Sequence, residues 1–293
     1  MGVLLISEME NHPQKQVQER FREYISFTME VLLIRIDKFL AEMSVGTRSE
    51  VKKMIRAGRV TVNDEEVKRP EQKVDPDSDI VSVDGNLVIY SQYEYFMLNK
   101  PAGYVSATKD DEHMTVLELI SEKSRNDLFP VGRLDIDTEG LLLITNDGEI
   151  SHKLLSPKSH VDKTYFLLTK GRVTEDDVDL LEKGIDIGDE KPTLPANVSD
   201  ISVVKWDDIK SYHDNILSAK EFDEKDRLGE FTTLYLTIHE GRYHQVKRMM
   251  AKVGKPVLYL KRVSMGTLKL DEKLSVGDYR KLTEKEIEDI KKA

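Results

Sequence analysis

Residues 130–148 read PVGRLDIDTEGLLLITNDG. Residues 141–145 (LLLIT) form an apolar run that reads as a buried strand, ended by the turn signal Asn146-Asp147-Gly148. Ahead of the run, Gly132 and Gly140 flank a polar loop. That loop delivers Arg133, Asp135, Asp137, Thr138 and Glu139 to the end of the strand. Conformational freedom beside a rigid strand is a common way to fix functional side chains. Three carboxylates and an arginine this close together suit a general acid/base pair, a magnesium site or a nucleophile. Composition alone favours a plainer reading, an acidic turn with a structural Arg–Asp pair.

Working outward, Tyr95 to Leu98 predicts a strand that enters the loop Asn99-Lys100-Pro101-Ala102-Gly103, where Pro and Gly break regular structure. Thr115 caps a short helix over 116–120. Strands are predicted over 163–169 and 231–239, and helices over 174–184 and 244–253. Thr283 with Glu286 forms a capping box for a last helix. Residues 206–230 are polar and acidic and read as a loop or insertion. Upstream, Ile36, Phe39, Leu40 and Met43 fall on one helical face. A second helix follows Gly46, capped by Thr47 or Ser49 and stopped by Gly58. Short strands follow at 60–62, 80–83 and 87–90, with a hairpin signal at Asp84-Gly85-Asn86. Without a regular βαβ period, the class is α+β with a mixed, largely antiparallel sheet.

The chain has 293 residues, which at about 150 residues per domain suggests two domains. It has no cysteine. Disulfides, thiolate zinc sites, iron–sulfur clusters and a cysteine nucleophile are thereby excluded, and a reducing, cytoplasmic location is expected. No run reaches the roughly 18 apolar residues of a membrane helix, and Met1 to Ile6 lacks the basic flank of a signal peptide. Residues 1–33 read as an N-terminal extension without an assigned role, and Met29 just precedes the first well-patterned segment.

The net charge of -10 argues against a polyanion partner, but the charge is unevenly spread. Residues 35–61 carry seven bases (Arg35, Lys38, Arg48, Lys52, Lys53, Arg56 and Arg59) against three acids. Residues 242–262 carry seven bases and no acid, while 172–230 hold 17 acids and 8 bases. Two basic patches on an acidic protein suit a polyanion held on one face, or simply solvated helix faces.

Several separated stretches carry a resemblance. Residues 35–63, with Arg35-Ile36-Asp37-Lys38-Phe39-Leu40, Thr47-Arg48-Ser49 and Ile55-Arg56-Ala57-Gly58-Arg59-Val60-Thr61-Val62-Asn63, resemble the small RNA-binding domain named after the small-subunit ribosomal protein S-four. Gly132-Arg133-Leu134-Asp135 with Thr138 and Gly140, the Asn99–Gly103 loop, and the stretch from Gly241 to Met249 (GRYHQVKRM) resemble RsuA-type ribosomal RNA pseudouridine synthases. The resemblance spans roughly residues 34–290 and is nearest to the small-subunit (16S) rRNA enzymes. It implies an RNA-binding domain at 34–92, a pseudouridine synthase catalytic domain at 93–293, a ribosomal RNA partner (free or in a partly assembled subunit), no cofactor, no metal and a monomer.

The resemblance also assigns roles. Asp135 matches the nucleophile that helps move the uracil from its nitrogen-1 bond to a carbon-5 bond with the sugar. Tyr165 matches a tyrosine that stacks on the target base and is a candidate to handle a proton; by itself it reads as a strand residue packed in the core. Lys247 stands where many members place an arginine that pairs with the aspartate, so the charge is kept and the planar fork lost. Arg133 and Arg248 are alternative partners. Arg242, His244 and Gln245 shape the site or contact RNA, or else are merely structural; Arg248 and the seven bases of the first domain are expected to contact RNA. The target base must be flipped out of folded RNA. Three rivals remain: a large-subunit rRNA enzyme, a non-catalytic RNA-binding factor, and a metal-dependent nuclease using Asp135, Asp137 and Glu139.

Overall fold

The computed structural model describes residues 33–209 and 228–292. The chain divides into two units, the first ending at Tyr90 and the second beginning at Ser91, two residues before the domain boundary expected at 92/93. All but the last residue of the expected N-terminal extension, and residues 210–227 of the acidic segment, lie outside the described residues.

In the first unit, α1 (Ile36–Glu42) buries Ile36, Phe39 and Leu40 at helical spacing. Thr47 starts α2 (Arg48–Arg56) with a reciprocal cap: its hydroxyl accepts from the Glu50 amide at 3.3 Å, and the Glu50 carboxylate accepts from the Thr47 amide at 2.8 Å. Val51 and Ile55 turn inward and pack with Phe39 and with Val60 and Val81 of the following strands. β1 (Val60–Val62) pairs antiparallel with β2 (Glu65–Glu66) on one side and with β3 (Val81–Val83) on the other, and β3 pairs with β4 (Asn86–Val88). The amphipathic pattern of α2 leaves Arg48, Lys52, Lys53 and Arg56 in solvent.

The second unit is built on one large sheet. Its strands are β5 (Tyr95–Lys100), β6 (Glu139–Thr145), β7 (Lys163–Lys170), β8 (Asn197–Val204), β9 (Phe231–Ile238), β10 (Val257–Met265), β11 (Leu268–Lys269) and β12 (Tyr279–Lys281). The order is β8-β9-β7-β10-β6-β5-β12, with β11 hung on β10 and the two-residue strand Phe129–Pro130 on β6. Every pairing is antiparallel except β10 with β6. Alternation along β5 splits the core: Phe96 and Leu98 join one cluster, Tyr95 and Met97 another. Helices α4 (Glu175–Lys183) and α5 (Gln245–Lys252) contribute to the first cluster. Helices α3 (Gly148–Leu155) and α6 (Glu284–Lys292) contribute to the second.

Several elements differ from the sequence-based expectation. Asn146-Asp147-Gly148 does not only end β6. The Asp147 carboxylate accepts from the Glu149 and Ile150 amides at 3.0 and 3.2 Å and so begins α3. Trp206–Ile209, expected to be loop, is a helical turn whose Ile209 is buried with Leu168, Phe231 and Tyr259. β8 is an edge strand with mostly exposed side chains, so it lacks the apolar alternation that betrays a strand. Among the described residues no helix is long and apolar enough to cross a membrane.

The parallel contact between β6 and β10 sets the floor beneath the 132–140 loop. Lys261 pairs with Glu139 and Arg262 with Gly140. Gly140 has φ +100°, and a Cβ there would run into the backbone oxygen and nitrogen of Arg262. Glycine is therefore required on two counts. Gly140→Ala is expected to destabilise the protein by at least about 2 kcal/mol. A lowered urea midpoint checks this, and an unchanged midpoint would show that the two strands can part at no cost.

Candidate active site

The loop from Arg133 to Thr138 is held from below by the loop that follows β5. Lys100 is fully buried. Its three ammonium protons are shared among four carbonyl oxygens: Pro101 and Thr138 at 2.9 Å, Asp135 at 3.1 Å and Ile136 at 3.3 Å. Burial pushes the Lys100 pKa down to about 8, against the opposing pull of Asp137, Glu139 and Asp135. The Gly103 amide donates to the Ile136 carbonyl at 2.7 Å. The Ser106 hydroxyl accepts from the Leu134 amide and donates to its carbonyl, both at 3.0 Å. The backbone around Asp135 is thus fixed at residues 134, 135, 136 and 138. Sequence reasoning quoted Lys100 within a matching stretch but gave it no role, and it missed Ser106. A lone lysine next to a proline carries no local sign that it will be buried.

Above this floor is a cleft of about 620 Å³, lined among others by Asp135, Tyr165, Lys247, Arg133 and His244. Lys247 projects from the first turn of α5 and donates to the Asp135 carboxylate at 2.9 Å, with a second, shorter bond to Asp137. Burial pulls the Lys247 ammonium down. Its hydrogen bonds to Asp137 and Asp135 outweigh that and leave it above the ordinary lysine value. His244 Nε2 lies 3.5 Å from the other Asp135 oxygen. His244 is in the left-handed backbone region, φ +47°, and its ring stacks on the exposed ring of Tyr243 at 3.8 Å.

The remaining expected residues fall into distinct groups. Arg133 is exposed at the cleft and is not the partner of Asp135. Tyr165 is buried in β7 and lines the cleft. The register of β7 against β10 slips by one residue between Thr164 and Tyr165, so Arg262 rather than Val263 stands opposite Tyr165. Arg242 and Arg248 are engaged within the protein. Arg242 donates to the Lys191 and Pro192 carbonyls at 2.6 and 2.8 Å and to Glu240 at 3.0 Å. Arg248 donates to the Ile187 carbonyl at 2.7 Å and pairs with Asp189. The Gln245 amide bridges the Arg242 backbone amide and Glu240, each at 3.0 Å. These three brace the start of α5, and through it Lys247. In the first unit, Arg35, Lys38 and Arg59 pair with Asp37, Glu42 and Asp84. Among the described residues Arg48, Lys52, Lys53 and Arg56 have no such partner.

The three carboxylates of the loop do not converge. Asp135 and Asp137 share Lys247, whereas Glu139 is buried and accepts from the Tyr259 hydroxyl at 2.9 Å. Among the described residues no group of three or more potential ligands is placed to hold a metal ion. The arrangement presents one carboxylate, oriented by an ammonium, at the mouth of a cleft with an aromatic wall.

Comparison with known proteins gives consistent results. A family model described as RNA pseudouridylate synthase matches residues 94–252, and one described as S4 domain matches residues 34–80. The chain is 43% identical over 255 residues to an uncharacterized RNA pseudouridine synthase, YtzG, of Bacillus subtilis (strain 168), covering 87% of this chain and 97% of that one. It is 40% identical over 259 residues to the ribosomal small subunit pseudouridine synthase A of Escherichia coli (strain K12), covering 88% and 100%. Among solved structures, a crystal structure of a pseudouridylate synthase is 36% identical, with a TM-score of 0.54, covering 88% of this chain and 99% of that one.

Lys100→Met keeps the length of the stem and leaves the converging carbonyls without their donor. It is expected to cost roughly 3 kcal/mol in urea unfolding. A variant as stable as the wild type would remove Lys100 from its place as the anchor of the loop.

Proposed function

Because the chain belongs to the RNA pseudouridylate synthase family, we propose that it isomerises a uridine of small-subunit (16S) ribosomal RNA, with Asp135 as the nucleophile. The observation that carries this reading is the Asp135–Lys247 pair in a cleft that also holds Tyr165.

The reaction breaks the bond between uracil nitrogen-1 and the sugar carbon C1′ and makes one between carbon-5 and C1′. The proton on carbon-5 is lost and nitrogen-1 gains one, so no atoms or electrons are exchanged with a co-reactant. A carboxylate suits the task. It attacks C1′, holds the sugar as an ester while the uracil turns, and leaves again when carbon-5 attacks; a glycal-like route uses a carboxylate in the same place. Lys247 keeps one oxygen of Asp135 oriented, and the fixed backbone from 134 to 138 keeps the carboxylate at the cleft mouth. Tyr165 supplies the ring against which the flipped base stacks. The family's usual arginine is a lysine here, so the pairing rests on a single point charge rather than on a fork.

The resemblance of residues 34–80 to S4 domains supports a grip on RNA by the first unit. Its exposed and unpaired bases on α2, namely Arg48, Lys52, Lys53 and Arg56, are the phosphate contacts of this reading. Arg242, Gln245 and Arg248 are instead positioning residues for α5.

Asp135→Asn is expected to abolish pseudouridine formation while leaving RNA binding within a few-fold of wild type. Mapping pseudouridines in rRNA from cells with and without the gene identifies the substrate. A lost site in large-subunit RNA would refute the small-subunit assignment, and modification by a clean Asp135→Asn preparation would refute the nucleophile. Replacing Lys52, Lys53 and Arg56 together by Gln is expected to make the slope of log affinity against log salt shallower by about 2 to 3. An unchanged slope would mean that this helix face does not meet phosphates.

A further inference from the structure

Apart from the Asp135–Lys247 pair, four Lys and Arg side chains among the described residues line the cleft: Arg133, which is exposed, Arg242, which is tied to Glu240 and Asp189, and two that are buried. Arg262 in β10 is 2% exposed and Lys163 in β7 is 6% exposed, and both border the cleft beside Tyr165. Arg262 donates from Nε to the Leu141 carbonyl at 2.8 Å, and its Nη2 is buried without a hydrogen-bond partner. Lys163 donates to the Val161 carbonyl at 2.8 Å. Among the described residues neither cation forms an ion pair. Asp162, next to Lys163 in the chain, gives its carboxylate to His239 at 2.7 Å. Burial and the neighbouring Arg262 charge both push Lys163 below the ordinary lysine value, and Asp162 offsets this only in part.

Two neighbouring like charges buried without a carboxylate are expensive to keep, because each has given up its hydration with no opposite charge in return. An anion that enters the cleft removes much of that cost. Lys247 is already matched by two aspartates and Arg133 lies in solvent, so among the described residues the buried, uncompensated charge of the cleft is concentrated at Arg262 and Lys163. The two residues lie on adjacent strands, and the register slip that puts Arg262 opposite Tyr165 brings this charge to the wall that takes the base.

We propose that Arg262 and Lys163 form a subsite for the phosphate of the extruded uridine nucleotide. This deepens the reading of the chain as an enzyme acting on RNA and rests on it. A phosphodiester carries one charge and two free oxygens. A guanidinium and an ammonium on separate strands can take one oxygen each. Extrusion of a base swings its phosphates with it, so a receptor beside the base wall fixes the sugar as well as the ring. The subsite therefore contributes to the placement of C1′ above Asp135, and not only to affinity.

The test compares binding of uridine, 5′-UMP and 3′-UMP to the full chain by titration calorimetry at low salt. At least one monophosphate is expected to bind ten-fold or more tighter than uridine, and which one does so tells which side of the nucleotide is held. Lys163→Met is expected to bring that ratio close to one while uridine affinity stays unchanged. Arg262→Lys, which keeps the charge and loses the fork, lowers the ratio several-fold. Asp135→Asn, which removes the nucleophile, keeps the ratio, so a failure of the catalytic assignment is separable from a failure of the subsite. Circular dichroism checks the fold of each variant, and the wild-type comparison needs no variant. Equal binding of uridine and both monophosphates by the wild type, no binding of either monophosphate, or an unchanged ratio in folded Lys163→Met would overturn the proposal. Parallel loss of uridine and monophosphate binding would overturn it too, because the cations would then be holding the base.

Discussion

A single buried ammonium underlies the rest of the site. Lys100 stands at the end of β5 and gathers the carbonyls of Pro101, Asp135, Ile136 and Thr138. A loop with three carboxylates and two glycines has little reason to keep one shape by itself, since its side chains repel and its backbone is permissive. The ammonium reverses this. Its protons satisfy carbonyls that would otherwise be buried without donors, and its charge lies beneath the acids rather than among them. The Asp135 carboxylate is then left on a rigid support at the mouth of the cleft, paired with Lys247 instead of bracing the loop's backbone.

The basic run after Gly241 divides its work in a way that charge counting does not reveal. Lys247 faces the cleft and is shared between Asp135 and Asp137. Arg242, at the edge of the same cleft, and Arg248 tie the start of α5 to the loop around Asp189. A short helix has few backbone bonds to hold it in place, so these forks fix the direction in which its first turn points. The acidic stretch that dominates the net charge is therefore partly a structural counterpart of the basic one. In the first unit the division is similar: Arg35 and Arg59 close local pairs, while the outer face of α2 keeps its charge open to solvent.

Much of the fold was legible because burial imposes periodicity. β6, β7 and β9 announce themselves as apolar runs, α1 and α2 as spaced apolar positions, and α2 and α4 also by their threonine caps. β8 was not legible, because an exposed edge strand buries little and so needs no pattern. The helical turn at Trp206–Ile209 was hidden in a polar context; its place is decided by Phe231 and Tyr259, which are distant in sequence. Asp135, Lys247 and Tyr165 were all named from motif order, and the structure brings them to one cleft.

The sequence by itself determined the class of the fold and the limits of most elements and singled out Asp135 as the candidate carboxylate, since caps, periodicity and short motifs are local and leave their mark in consecutive residues. Tertiary structure alone decided which of many cations meets which acid. Lys247 rather than Arg133 or Arg248 pairs with Asp135, Lys100 is drawn under the loop, and among the described residues Arg262 and Lys163 are left without a carboxylate. The physical reason is range. Coulomb attraction and burial depend on distances through space, and those distances are set by a parallel strand contact at Gly140 and a one-residue slip beside Tyr165, neither of which any local stretch of sequence encodes.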